Sequence, residues 1–131
     1  MKKIIRVISV FICISFLNAC AFNVIHVKQI PTVMKKHETV TKSLELQEDV
    51  TVKIGHGYKR TLKANTRWEY VGKITQGDVY KTKDQVLTVE ASHIYEAYIV
   101  ISSGRLVGFY LPVEKTFSPL GKPTVLNMRE I

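Results

Sequence analysis

The sequence predicts a small, mainly β fold, an antiparallel β-sandwich or barrel over residues 49–131, carried on an N-terminal tether. Three observations predict it. From Asp49 onward, turn residues recur every eight to twelve positions, the spacing of all-β sandwiches and barrels. The segments between them alternate apolar and polar residues with the period of two that a half-buried strand requires. The most hydrophobic of them, 93–101, is apolar on both faces, as a central strand covered on both sides would be.

The elements follow in order. Residues 50–54 read Val-Thr-Val-Lys-Ile and end at Gly55-His56-Gly57. A second strand, 58–64, breaks at Asn65-Thr66. In 67–74, Trp68, Tyr70, Gly72 and Ile74 share one face, while Arg67, Glu69 and Lys73 share the other, with Val71 as the exception. Gln76-Gly77-Asp78 turns the chain into 79–81, and Lys83-Asp84 turns it again into 86–90. The β-branched and aromatic content of 93–101 favours a strand over a helix there. Ser102-Ser103-Gly104 reads as a hairpin turn into 105–111, which Pro112 ends. Residues 116–120 and 124–128 are candidate closing strands, with Gly121-Lys122-Pro123 between them. Residues 21–48 carry mixed periodicity and read as a tether holding one early strand and one short helical turn.

Ahead of the tether stands a leader. Lys2, Lys3 and Arg6 form a positive start, residues 7–17 are uncharged and mostly apolar, and Leu17-Asn18-Ala19-Cys20 closes the segment. Charge, apolar core and a small residue in that order mark a secretion signal. Eleven apolar residues span only ~16 Å as a helix at about 1.5 Å per residue, too short for a hydrocarbon core of roughly 30 Å. The segment resembles the signal peptide of bacterial lipoproteins. Asn18 departs from the Ala, Ser or Gly that is commoner at its position in that pattern. The resemblance implies that residues 1–19 are removed and that Cys20 becomes the acylated first residue, with three acyl chains in a Gram-negative host. Two or more chains anchor stably where one does not. Ala21 rather than Asp follows the cysteine, which implies an outer-membrane, periplasm-facing address, or the exterior of the plasma membrane in a Gram-positive host. The expected division is therefore 1–19 signal, 20–48 lipidated cysteine and tether, and 49–131 β domain.

Cleavage changes what the composition means. Cys13 leaves with the leader and Cys20 takes lipid, so neither is free for a disulfide and the fold must rest on its core. Of 19 basic side chains 16 remain against 11 acidic, and the net charge falls from +8 to +5. For an anchored envelope protein a basic balance points away from nucleic acid. It points to anionic headgroups, lipopolysaccharide or acidic glycan, or to solvated lysines alone.

Chemistry is sparse. Ser43, Ser92, Ser102, Ser103 and Ser118 lie outside any G-x-S-x-G elbow. His26, His37, His56 and His93 are widely spaced, with no H-x-x-x-H or C-x-x-C pair to impose a metal geometry. Glu90, His93 and Glu96 fall within seven residues, but on one strand 93 and 96 project to opposite faces. No catalytic residue, metal ligand or cofactor is expected.

Aromatic residues are the strongest remaining feature, since Tyr and Trp offer large apolar faces with a polar tip to partners and to cores alike. The candidate binding surface is Trp68, Tyr80 and Tyr110. Phe109 and Tyr110 point to opposite faces of one strand, so both can be core only if that strand is sandwiched. The expected function is a non-enzymatic binding or assembly module, membrane-anchored, for an envelope protein or cell-wall glycan. The alternative is a protective lipoprotein of immunity, surface-exclusion or inhibitor type.

Overall fold

A computed structural model describes residues 27–39, 42–54, 58–83, 85–91 and 93–131. The expected leader, Cys20, His26, the expected turn at 55–57, Asp84 of the expected 83–84 turn and Ser92 lie outside the described residues. Thirteen strands are described, all antiparallel where paired: β1 (Ile30–Pro31), β2 (Lys35–Lys36), β3 (Ser43–Leu46), β4 (Val50–Ile54), β5 (Tyr58–Leu62), β6 (Arg67–Ile74), β7 (Gly77–Thr82), β8 (Thr88–Glu90), β9 (Ile94–Glu96), β10 (Tyr98–Ser102), β11 (Arg105–Leu111), β12 (Thr116–Val125) and β13 (Met128–Glu130). One sheet runs β1-β12-β11-β10-β7-β6-β3-β13, with β2 also on β6, and β4–β5 and β8–β9 form two separate hairpins. The expected all-β antiparallel class is the observed one.

Connector lengths show that the large sheet is curled. Val125 of β12 and Met128 of β13 are three residues apart, a reach of at most ~11 Å at roughly 3.6 Å per residue. In the sheet order those strands stand six places apart, which in a flat sheet is about 29 Å at 4.8 Å per strand. Likewise, Pro31 pairs with Thr116 of β12 and Lys35 pairs with Lys73 of β6, across only three intervening residues. The sheet therefore bends its ends towards each other, in keeping with the twist intrinsic to strands.

Alternation along each strand then builds a core on both faces. Leu46, Trp68, Tyr80, Ile99, Leu106, Phe109 and Leu111 pack with Val52, Ile54 and Leu62 of the β4–β5 hairpin and Val89 of β8. On the opposite face Ile74, Val79, Val100, Tyr110 and Phe117 form a second cluster, with Ile30 and Met34 packed against it. β11 is thus sandwiched, and Phe109 and Tyr110 are both buried, one on each side. Gly108 permits this. A Cβ there would stand 2.6 Å from the Phe117 ring, so a larger residue would force β12 away.

Three sequence expectations are corrected. The first is the domain boundary at 49. β3 pairs with both β6 and β13, and Leu46 is fully buried, so the fold takes in residues from 27 on. Glu45 pins that placement: it stands opposite Arg129 on β13 and Arg67 on β6, with ion pairs of 3.1 and 3.9 Å. No helical turn occurs among the described residues of the supposed tether.

Second, 93–101 is not one central strand. It breaks at Ala97, whose N–H donates to the Leu87 carbonyl, leaving β9 in the β8–β9 hairpin and only β10 in the large sheet. Ile94 is accordingly 73% exposed. Third, Gly121-Lys122-Pro123 does not separate two strands. It lies within β12, and the closing strand is β13. By contrast, the Ser102–Gly104 turn is as expected. Ser103 and Gly104 both have positive φ, 52° and 73°, with Ser102 paired to Arg105, which is the two-residue hairpin geometry favoured by strand twist.

Candidate functional site

Two hollows flank the β4–β5 hairpin, one on each edge. Within the hairpin, Val52 pairs with Arg60 and Val50 with Leu62. Opposed residues project to the same face, so Arg60 shares the inward side with buried Val52 and Leu62. An arginine at an inward position is the anomaly of this hairpin. Arg60 lines a cavity of about 280 Å³ walled also by Thr61 and Leu62 of β5, Lys63, Thr66, Trp68 of β6, Thr82 of β7 and residues 85–87.

The hydrogen-bond inventory of that cavity is lopsided. Thr66 Oγ1 donates to the Lys63 carbonyl at 2.7 Å, and Thr82 Oγ1 donates to the Gln85 carbonyl. Lys63 faces Asp49 at 3.8 Å. Trp68 Nε1 and Arg60 Nε are buried and have no acceptor among the described residues. No Asp or Glu is among the wall residues. Leaving a buried donor unpaired costs about 1–3 kcal/mol, and two of the residues that wall this cavity each carry such a donor. A planar carboxylate suits a guanidinium best.

On the other edge, a more open cleft of about 790 Å³ lies between β4 and β12. Its far wall comes from a local mismatch of the ladder. Leu106 pairs with Thr124 but Gly108 pairs with Pro119, so residues 120–123 arch away from β11. Pro123 has no N–H to return to the ladder. Lys28, just before β1, Lys53 of β4 and Lys122 of the arch line the cleft together with Val52, Pro119 and Leu120.

The aromatic trio does not form a surface. Trp68, Tyr80 and Tyr110 are 1%, 3% and 4% exposed, and Tyr110 lies in the opposite cluster from the other two. They fill the core because their strands are covered on the faces from which these rings project. Of the three, Trp68 alone also lines the 280 Å³ cavity. Nothing in the spacing of Lys28, Lys53 and Lys122 foretold their meeting. Arg60 was detectable, since it has the same parity as Leu62 within one strand.

The acidic group at 90–96 is rearranged as well. Glu90 opposes Ile94 and Thr88 opposes Glu96, so Glu90 and Glu96 are diagonal neighbours on one face of the β8–β9 hairpin, with His93 exposed outside the ladder. None of the three lines either hollow. Among the described residues no group of three His, Cys, Asp or Glu side chains converges as a metal site would require.

No family model matches this chain, and neither curated proteins nor solved structures yield a match.

Burial also sets a pH response. It pushes the Tyr80 phenol above its ordinary value, against the partial opposition of Lys42, and it pushes Tyr110 up as well, with Tyr98 adding to the effect. Both phenols stay protonated in the fold at a pH where the unfolded chain has begun to ionise. The stability they contribute is complete below the ordinary tyrosine value of about 10 and is lost as pH rises through the raised values. The melting temperature is expected to fall above about pH 10. In a Tyr80→Phe, Tyr110→Phe double variant that alkaline fall should be shallower. An equal fall would remove the phenols as its cause.

Proposed function

We propose that this protein is a membrane-anchored envelope lipoprotein, acylated at Cys20 and held at the outer membrane facing the periplasm. Its β domain is a non-enzymatic binding module that seats an acidic group of a protein or cell-wall partner. The observation that carries the binding reading is the pair of buried, acceptor-less donors, Trp68 Nε1 and Arg60 Nε, in one cavity. The anchor rests on the leader ending at Cys20. Metabolic labelling with palmitate should mark the mature chain and be lost on Cys20→Ser.

Trp68 is the sole tryptophan, so its indole N–H gives a single nuclear magnetic resonance signal. The acylated protein in micelles should show that signal moving saturably with an Ala-Ala dipeptide bearing a free carboxylate, and not with the dipeptide amide. Arg60→Met should abolish the shift. Equal shifts for acid and amide, or none for either, would sink the reading. Asp84, beside the cavity wall in sequence, supplies the internal control. If Asp84→Asn alone moves the indole signal as far as the dipeptide does, the chain fills its own cavity and no partner is needed.

A further inference from the structure

We propose that the cleft between β4 and β12 docks on anionic lipid headgroups of the same bilayer that holds Cys20, an inference that rests on the acylation reading above. Lys28, Lys53 and Lys122 come from three separate segments and meet around this one cleft. None of them pairs with a carboxylate among the described residues, and no acidic side chain is among those that line the cleft. Three lysines without carboxylate partners, lining one cleft with apolar Pro119 and Leu120, complement phosphate beside acyl chain.

Chain length selects the bilayer over a soluble anion. With the fold beginning at 27 rather than 49, seven residue steps separate Cys20 from Val27, at most ~25 Å at about 3.6 Å per residue. Lys28, the first of the three cations, is the next residue. The short leash lets the cleft reach the headgroups, and at contact each lysine adds roughly fivefold to the local affinity. At physiological salt the attraction fades over about 8 Å, so it needs that closeness to act. The donor-lined cavity sits on the opposite edge of the same hairpin, since β5 rather than β4 supplies its wall. Docking by one edge leaves the other free for a partner.

The test uses the mature acylated protein reconstituted in vesicles. Gly121 lies in the arch with open space around its Cα, so Gly121→Cys accepts a fluorophore, and with Cys20 acylated it is the one free thiol. A spin-labelled lipid headgroup serves as quencher. In vesicles of equal phosphatidylcholine and phosphatidylglycerol the label should be quenched at least several-fold more than in phosphatidylcholine alone. High salt should reverse the effect, and so should Lys28→Glu, Lys53→Glu, Lys122→Glu in combination. A label at exposed Val113, beyond the other end of β12, should not respond. Inorganic phosphate should compete no better than chloride at equal ionic strength; stronger competition would assign the cleft to a free anion. Equal quenching in both vesicle types overturns the docking inference. Failure of the protein to enter either type overturns the acylation reading instead.

Discussion

A chain that begins at Asp49 is expected not to fold, whereas one that begins at Val27 is expected to melt cooperatively. Removing 27–48 strips β1, β2 and β3 from the sheet. β6 loses both partners along one edge, and β13 loses its only ladder. Leu44 and Leu46 leave the core, each worth about 1.5–3 kcal/mol of burial. The Glu45 pairs with Arg67 and Arg129 go with them, as do backbone bonds such as those between Leu46 and Thr66 and between Asn65 and Leu46. A small domain has a net stability of about 5–15 kcal/mol, and this deletion removes a comparable sum. Circular dichroism and amide exchange should show loss of cooperative melting and of slow-exchanging amides in β6. A truncated chain that melts like the longer one would restore the boundary at 49.

Replacing Trp68 with alanine should cost about 3–5 kcal/mol, the usual range for deleting a buried aromatic ring. For a domain of this size the melting temperature should drop on the order of 15–25 °C. Trp68 is 1% exposed and bridges Leu44 on β3 to Thr82 on β7 through its ladder positions. Trp68→Phe separates packing from polarity. Phenylalanine leaves a smaller void and also removes an N–H that is buried without an acceptor. It should therefore destabilise by less than half as much as alanine. If Trp68→Phe proves as costly as Trp68→Ala, the indole N–H is already bonded within the fold and the cavity has no demand for a ligand.

Much of the architecture was legible because strand periodicity is local. The 50–54 and 105–111 segments and the Ser103-Gly104 turn depend on neighbours within a few residues, and each is found as read; in 67–74 a bulge between Tyr70 and Gly72 breaks the expected shared face, placing Trp68 and Tyr70 in one cluster and Ile74 in the other. The misreadings share one cause: short strands held by distant partners. Ser43–Leu46 looks like a polar linker with two leucines, and becomes a strand only because β6 and β13 offer ladders on both sides. The 93–101 run looks continuous, and is broken at Ala97 because Leu87 takes its N–H.

The site divides along the same line. Arg60 and Leu62 announce an inward cation through parity alone, but only the packing of β5 against Trp68 and residues 85–87 turns it into a donor-lined cavity. Lys28, Lys53 and Lys122 are separated by 25 and 69 residues, and no local pattern joins them. Fold class and the strands at 50–54 and 105–111 follow from residue type and spacing, because hydrophobic alternation and turn chemistry act over a few bonds; the proposal of a leader closing at Cys20 rests on sequence alone. Core and surface assignments of the aromatics, the start of the fold at 27 and the meeting of cations depend on which strands pair. That choice is made by long-range burial, which balances the whole chain at once.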